Sequence, residues 1–154
     1  MTKLKKHLMV FFLLVFGSIW FLTCSHKQSI DIKETEGEIW ELQLSGEIIG
    51  KLELLLRRVK INNDIYTVTG KISGRLKDRR AGTGTAEYKL EGKIEKNVFN
   101  GNFSGSSNME VGSSPTSGTI IGMVFNSQGS GKYNVMHALG SSHGYYIMKK
   151  IHSN

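Results

Sequence analysis

The fold is decided by residues 83–94, which read TGTAEYKLEGKI. Every second residue from position 84 is apolar or glycine, and the residues between are Thr, Glu or Lys. Side chains in a β-strand alternate between the two faces of the sheet, so this pattern predicts one buried face and one solvated face. The predicted inward set is Gly84, Ala86, Tyr88, Leu90, Gly92 and Ile94.

The same period of two recurs along the chain from residue 38 onward. Turn-forming residues separate the alternating segments, and no window after residue 24 has helical spacing. Further strands are predicted at 98–105, 118–125, 132–138 and 144–151. The other predicted inward residues are Trp40, Leu42, Leu44, Leu52, Leu54, Leu56, Tyr66, Val68, Gly70 and Ile72.

About eight consecutive strands with short turns predict an all-β, antiparallel up-and-down meander. Closure of such a sheet removes its exposed edges, so a small closed barrel is expected, with a two-sheet sandwich as the alternative. A repeated pattern supports the barrel. Residues 70–74, 101–105 and 118–122 all read Gly-x-apolar-x-Gly, which is typical of strands that bend sharply or approach each other closely.

The N-terminus has the pattern of a secretory signal. Lys3, Lys5 and Lys6 precede an apolar run over residues 8–23, which is shorter than the roughly 20 residues that cross a bilayer comfortably. Cys24, the only cysteine, stands where this run ends. An uncleaved signal-anchor helix is the alternative to a cleaved signal, and plain secretion is the alternative to a membrane tether.

Residues 21–24, Phe-Leu-Thr-Cys, resemble the lipobox of bacterial lipoproteins. Phe21 and Thr23 stand where that family usually has leucine and a small residue. The resemblance implies that Cys24 is diacylated and becomes the new N-terminus. It therefore implies a cell-envelope protein anchored in a membrane on the extracytoplasmic side.

Three segments follow from these patterns: a signal or anchor over 1–24, a polar tether over 25–36 and an all-β domain over 37–154. Twelve flexible residues have a typical end-to-end distance of about 20 Å. After residue 24 the chain has 17 Lys and Arg against 13 Asp and Glu, a formal charge of +4. That charge suits solubility rather than nucleic-acid binding, and a single cysteine excludes an intrachain disulfide.

No motif predicts an enzyme, a cofactor or a metal. His137 and His143 flank a predicted turn at Gly140, but two imidazoles fall short of the three or four ligands of a zinc site. The segment 106–117 has no periodicity and is expected to be a long loop, either a lid or slack. Basic residues form one predicted patch for an anionic lipid headgroup, a glycan or an acidic protein: Arg57, Arg58, Lys60, Arg75, Lys77, Arg79 and Arg80.

Two functions fit this sequence. In the first, a solid barrel is a structural or binding module for an envelope protein or glycan. In the second, the barrel carries a small apolar or amphipathic ligand, which requires an interior pocket of at least roughly 300 Å³. Bulky inward residues would fill the interior, whereas the inward glycines would leave room. The solid barrel is favoured because no buried polar group stands out in the sequence to orient a ligand.

Overall fold

A computed structural model of the chain describes residues 37–153. These residues form eight antiparallel strands, each paired with its neighbour in sequence, and the last strand pairs back with the first to close a barrel. The strands are β1 (Glu38–Gly46), β2 (Ile48–Asn62), β3 (Ile65–Asp78), β4 (Gly82–Glu95), β5 (Val98–Met109), β6 (Gly112–Phe125), β7 (Gln128–His137) and β8 (Gly140–Ser153).

This architecture confirms the predicted all-β antiparallel barrel, and the sandwich alternative is wrong. The predicted signal or anchor helix, the lipobox with Cys24 and the tether lie outside the described residues. Within residues 37–153 no helix is long and apolar enough to cross a bilayer.

The core lies inside the barrel and includes most of the predicted inward side chains. Trp40 and Leu54 on neighbouring strands are fully buried and stand opposite each other in the β1–β2 register. Tyr88 and Phe103 pack with their ring centroids 5.1 Å apart. Tyr66 is an exception, because it is only partly buried and packs against the edge of the core.

The centre of the barrel is packed. The free volume among the central residues is only about 20 Å³, in a void bordered by Leu42, Leu52, Phe103 and Ile120 among others. A cavity that holds one water needs about that much volume, so no organic ligand fits there. The structure thus has the packed interior of the solid barrel that the sequence favoured.

The repeated glycines let aromatic rings and neighbouring strands approach each other. Gly118 stands opposite Phe103 in the β5–β6 register, and a methyl group on Gly118 would collide with the Phe103 ring. Gly122 likewise leaves room for the hydroxyl of Tyr146. Close approach inside a narrow barrel is therefore the physical reason for the Gly-x-apolar-x-Gly pattern.

The predicted long loop over 106–117 is wrong. β5 continues to Met109 and β6 begins at Gly112, so only two residues form the turn. The inward residues here include Ser107 and Thr116, which are buried and hydrogen-bonded to each other at 2.9 Å between their hydroxyl oxygens. Small polar residues on the inner face hid the strand period from a hydrophobicity pattern.

The two ends of the barrel differ. At the end where the chain enters, which we call the entry end, Glu38 and Arg58 form an ion pair at 2.7 Å. Lys150 also binds Glu38, at 2.8 Å, and the Arg58 guanidinium lies 5.4 Å from the Trp40 ring centroid. These groups cover the core. The opposite end, which we call the mouth, carries the β1–β2, β3–β4, β5–β6 and β7–β8 turns and is open.

Candidate functional site

A cavity of about 150 Å³ opens at the mouth. Its floor is apolar and is formed by Ile48, Leu76 and Val135, which also border the small central void. Its rim includes the exposed side chains of Val111 and Leu139. Polar groups occupy the walls, and they come from five strands: Asp78, Tyr88, Ser107, Thr116 and His137.

Asp78 organises one wall of this cavity. It is the last residue of β3, and its even position puts it on the inward face with Ile72 and Leu76. One carboxylate oxygen, Oδ1, accepts hydrogen bonds from the backbone N–H groups of Arg80 at 2.7 Å and Ala81 at 2.9 Å. These bonds fix the β3–β4 turn, in the manner of Asp side chains that cap their own turns.

The second oxygen of Asp78 faces the cavity side of the barrel. Oδ2 accepts a hydrogen bond from the Ser142 hydroxyl at 3.1 Å, and Ser142 is itself buried. Burial alone would raise the pKa of the Asp78 carboxyl, but the backbone bonds from Ala81 and Arg80, with the Ser142 bond, outweigh it. The pKa of Asp78 is therefore lowered, and a charged carboxylate is held at the mouth at neutral pH.

His137 completes the group. Its Nε2 lies 3.2 Å from Ser142 Oγ and 3.7 Å from Asp78 Oδ2. Its other ring nitrogen, Nδ1, accepts the backbone N–H of Leu139 at 3.3 Å. The hydrogen-bond network thus assigns the proton of the neutral ring to Nε2.

This trio lacks the geometry of a hydrolytic triad. In a triad the carboxylate and the serine contact opposite nitrogens of the histidine, and the nitrogen facing the serine must be free to take its proton. Here Asp78 and Ser142 share one nitrogen, that nitrogen carries the proton, and the Ser142 hydroxyl donates to Asp78. The arrangement fixes the position of one charge and of two hydrogen-bonding groups.

Hydroxyl groups line the opposite wall. The Ser107–Thr116 pair lies next to the Tyr88 hydroxyl, and burial raises the pKa of Tyr88 although both hydroxyls bond to it. Tyr88 is therefore a neutral phenol at physiological pH. The cavity combines an apolar floor with a carboxylate, an imidazole and hydroxyls, and such a lining suits a small amphipathic group.

Two further contacts hold the turns around the mouth. The Tyr133 hydroxyl accepts a hydrogen bond from the backbone N–H of Ile48 at 3.1 Å and donates to the Ile48 carbonyl oxygen at 2.8 Å. The Arg80 guanidinium donates to the Leu139 carbonyl oxygen at 3.3 Å, linking the β3–β4 turn to the β7–β8 turn. The site is thus supported by cross-barrel contacts.

The structure does not bring the predicted basic residues into one patch. β2 and β3 are neighbours, but they run in opposite directions, and Arg57 stands opposite Thr69 while Arg75 stands opposite Lys51. Residues 57–60 therefore lie toward the entry end, where Arg58 belongs to the Glu38 network, and residues 75–80 lie toward the mouth. The prediction of one patch formed by Arg57, Arg58, Lys60, Arg75, Lys77, Arg79 and Arg80 is wrong in this respect.

The two histidines also separate. His137 faces the cavity, whereas His143 lies on the outer face, stands opposite Asn134 and contacts Glu47 at 3.2 Å. In the part of the chain that the structure describes, no group of three or more His, Cys, Asp or Glu side chains could hold a metal ion.

The comparisons with protein-family models, with curated proteins and with solved structures find no match for this chain. The geometry of the mouth is therefore the basis for a functional assignment. No motif in the sequence marks Asp78 or Ser142 as a site residue. The one signal for Asp78 was its even position, which places this charged residue on the inward face of β3 with Ile72 and Leu76.

Proposed function

We propose that this protein is the binding module of a membrane-tethered envelope lipoprotein, and that it recognises an envelope protein or a glycan at its mouth. The observation that carries this proposal is the position of the cavity. The N-terminal segment joins the barrel at Glu38, and the cavity opens at the opposite end. An anchor at Cys24 would attach at the entry end and leave the mouth free for a partner.

The size of the cavity favours recognition of a partner group over carriage of a ligand. Pockets for drug-sized ligands measure roughly 300–1,000 Å³, whereas the mouth holds about 150 Å³. A volume of about 150 Å³ accepts a single benzene-sized ring. One side chain or one sugar substituent of a larger partner fits this space, and the packed centre leaves no room for a carried ligand.

The chemistry of the cavity defines the group it would accept. Asp78 supplies a negative charge, and the hydroxyls of Ser107 and Thr116 supply donors and acceptors. A group with an apolar body and a cationic or hydroxyl-bearing tip satisfies both the floor and the walls. The basic side chains near the mouth, Arg75, Lys77, Arg79 and Arg80, would suit a partner whose surface is acidic around that group.

Site-specific photocrosslinking tests recognition at the mouth. A photoreactive residue at Leu139, on the rim, is expected to give a defined adduct in intact cells, whereas one at Ile61, equally exposed at the entry end, is not. Ala138→Trp, which narrows the opening, is expected to remove the Leu139 adduct, while Ile61→Trp should leave it. Equal adducts from both positions, or no effect of Ala138→Trp, would place recognition elsewhere.

Labelling with a clickable fatty acid tests the tether independently. The parent chain expressed in a bacterial host is expected to take up the label, and Cys24→Ala is expected to lose it. Persistent labelling of Cys24→Ala would end the lipoprotein assignment without affecting the crosslinking result.

A further inference from the structure

The outer surface of β6, β7 and β8 differs from the rest of the barrel in charge. From residue 111 to the C-terminus the chain contains Lys132, Lys149 and Lys150 and no Asp, Glu or Arg. The outward residues of β1, β2 and β4, by contrast, include carboxylates: Glu41, Glu53, Glu87, Glu91 and Glu95. Three adjacent strands thus present a surface with positive charge only.

The same surface is apolar. Of the twelve large hydrophobic side chains exposed in residues 37–151, ten lie at or after position 98. Phe125 and Ile147 are exposed by 52% and 63%. We define the β6–β8 face by the six large hydrophobic side chains that are exposed on β6 and β8: Ile121, Met123, Phe125, Tyr145, Ile147 and Ile151.

The strand register arranges this face in rows. Met123, Ser130 and Ile147 stand side by side across three strands, so the small serine separates two apolar side chains. In the next row Lys132 lies between Ile121 and Tyr145, with its ammonium 5.8 Å from the Tyr145 ring centroid. Apolar and aromatic groups with interspersed lysines are typical of surfaces that lie at a membrane interface.

The face lies beside the point where the chain enters the barrel. Glu38 pairs with Ser153, so the N-terminal segment joins directly alongside β8. Phe125 ends β6 at the entry end. A tether of twelve residues, with a typical span of about 20 Å, would hold this end of the barrel close to the bilayer that contains its anchor.

We propose that the β6–β8 face docks on the surface of a bilayer with anionic lipids, so that the tethered barrel lies against the membrane instead of swinging freely. This inference rests on the tethering part of the proposed function. Phe125, Met123 and Ile147 would enter the headgroup region, while Lys132 and Lys149 would contact lipid phosphates through their extended side chains.

A second copy of the chain fits this face less well. A twofold contact would bring the lysines of two copies together, and the three strands contain no carboxylate to pair with them. Glu41 on β1 stands opposite Lys149, but it already forms an ion pair with Lys51 at 3.6 Å. An anionic bilayer satisfies the charge of the face, whereas a second copy opposes it.

The test uses the full chain in vesicles of phosphatidylcholine and phosphatidylglycerol whose acyl chains carry bromine as a quencher of tryptophan fluorescence. Met123→Trp places a reporter on the β6–β8 face, and Thr67→Trp places one near the entry end of β3, on the far side of the barrel. The parent chain supplies the background from Trp40, and from Trp20 where the signal is retained. Quenching is expected for Met123→Trp and not for Thr67→Trp.

Charge reversal supplies the second arm. Each lysine near an anionic surface strengthens association about fivefold, so Lys132→Glu is expected to reduce the docked-to-undocked ratio at least that much. The same loss is expected when phosphatidylglycerol is omitted.

The outcomes separate the two proposals. If the chain floats with the vesicles but Met123→Trp is not quenched, docking is wrong and the tether stands. If the chain does not float with the vesicles, the proposed tether is wrong. Quenching of Met123→Trp by added vesicles then still tests whether the β6–β8 face docks on the bilayer. Fluorescence of Met123→Trp that changes with protein concentration, without quenching by lipid, would assign the face to a second copy and overturn the proposal.

Discussion

The two ends of the barrel each stabilise an inward-facing carboxylate, and they do so with different partners. At the entry end Glu38 binds two cations, Arg58 and Lys150, and accepts a hydrogen bond from the Trp40 indole at 3.0 Å. At the mouth Asp78 relies on two backbone N–H groups and a serine. Long cationic side chains cover the core, whereas short neutral donors leave it accessible. The choice of counter-group therefore decides which end has a cavity.

The largest expected effect concerns the covered end. Trp40 is 0% exposed, and Trp40→Ala removes an indole from beneath the Glu38 network. We expect a loss of about 3–5 kcal/mol in the free energy of unfolding, as for other large aromatic truncations in cores. Urea denaturation measures it, and Ile49→Ala, at a site 60% exposed, is the control. Similar midpoints for the two variants would contradict the buried position of Trp40.

The mouth should respond less strongly to loss of its carboxylate. Asp78→Asn keeps one oxygen for the β3–β4 turn but gives up a charge-assisted acceptor for the Ser142 hydroxyl. We expect a loss of about 1–3 kcal/mol, measured by the same denaturation. A larger loss than that of Trp40→Ala would show that the mouth, and not the covered end, dominates stability.

The contributions of the two carboxylates to stability in acid should differ in their dependence on salt. The pKa of each carboxyl is lowered in the folded state, from reference values of 3.8 for Asp78 and 4.5 for Glu38. Each carboxylate therefore stabilises the fold at pH values above its reference pKa. This contribution is lost as the pH falls through the pKa of the folded state. Burial opposes both shifts; Lys150 and Arg58 lower the pKa of Glu38, and mainly neutral donors lower that of Asp78.

The measurement is the free energy of unfolding between pH 6 and pH 2, at low and high salt, for the parent, Glu38→Gln and Asp78→Asn. We expect both variants to reduce the acid dependence. High salt should diminish the contribution of Glu38 more than that of Asp78, because Glu38 relies on attraction to two cations, which salt screens, whereas Asp78 relies mainly on neutral donors. Equal salt sensitivity would contradict the distinction between the two ends.

The smallest expected effect comes from a matched pair of buried tyrosines. Tyr133→Phe removes the hydrogen bonds that hold the β1–β2 turn at the mouth, and a loss of about 1 kcal/mol or somewhat more is expected. Within residues 37–153 the Tyr146 hydroxyl has no hydrogen-bond partner, and burial raises its pKa. Tyr146→Phe should therefore be neutral or slightly stabilising in thermal denaturation. A larger loss for Tyr146→Phe than for Tyr133→Phe would reverse this assignment.

Most of the fold was predictable because buried and exposed residues alternate along the strands. Trp40, Leu54, Val68 and Leu90 are all inward, as their even positions predicted. The failure at residues 106–117 has a physical cause. The inward residues Ser107 and Thr116 satisfy each other by a hydrogen bond rather than by apolar burial, so hydrophobicity gave no period there.

The candidate site could be predicted much less well. Asp78, His137 and Ser142 lie on β3, β7 and β8, and β3 neighbours neither of the other two strands, so they meet only through contacts across the barrel. Strand period gives the face of each residue but not contacts across the barrel. The single basic patch failed for a related reason, since adjacency of strands does not fix which ends of them coincide.

The pairing of β1 with β8 has a consequence for the order of folding. Every other pairing joins consecutive strands through a short turn, so those hairpins close small loops. β1 is synthesised first, yet its second neighbour is the last strand of the chain, because Glu38 pairs with Ser153. One side of β1 therefore presents unpaired backbone groups until the whole domain has been made, and during that interval it is the strand most open to pairing with another chain.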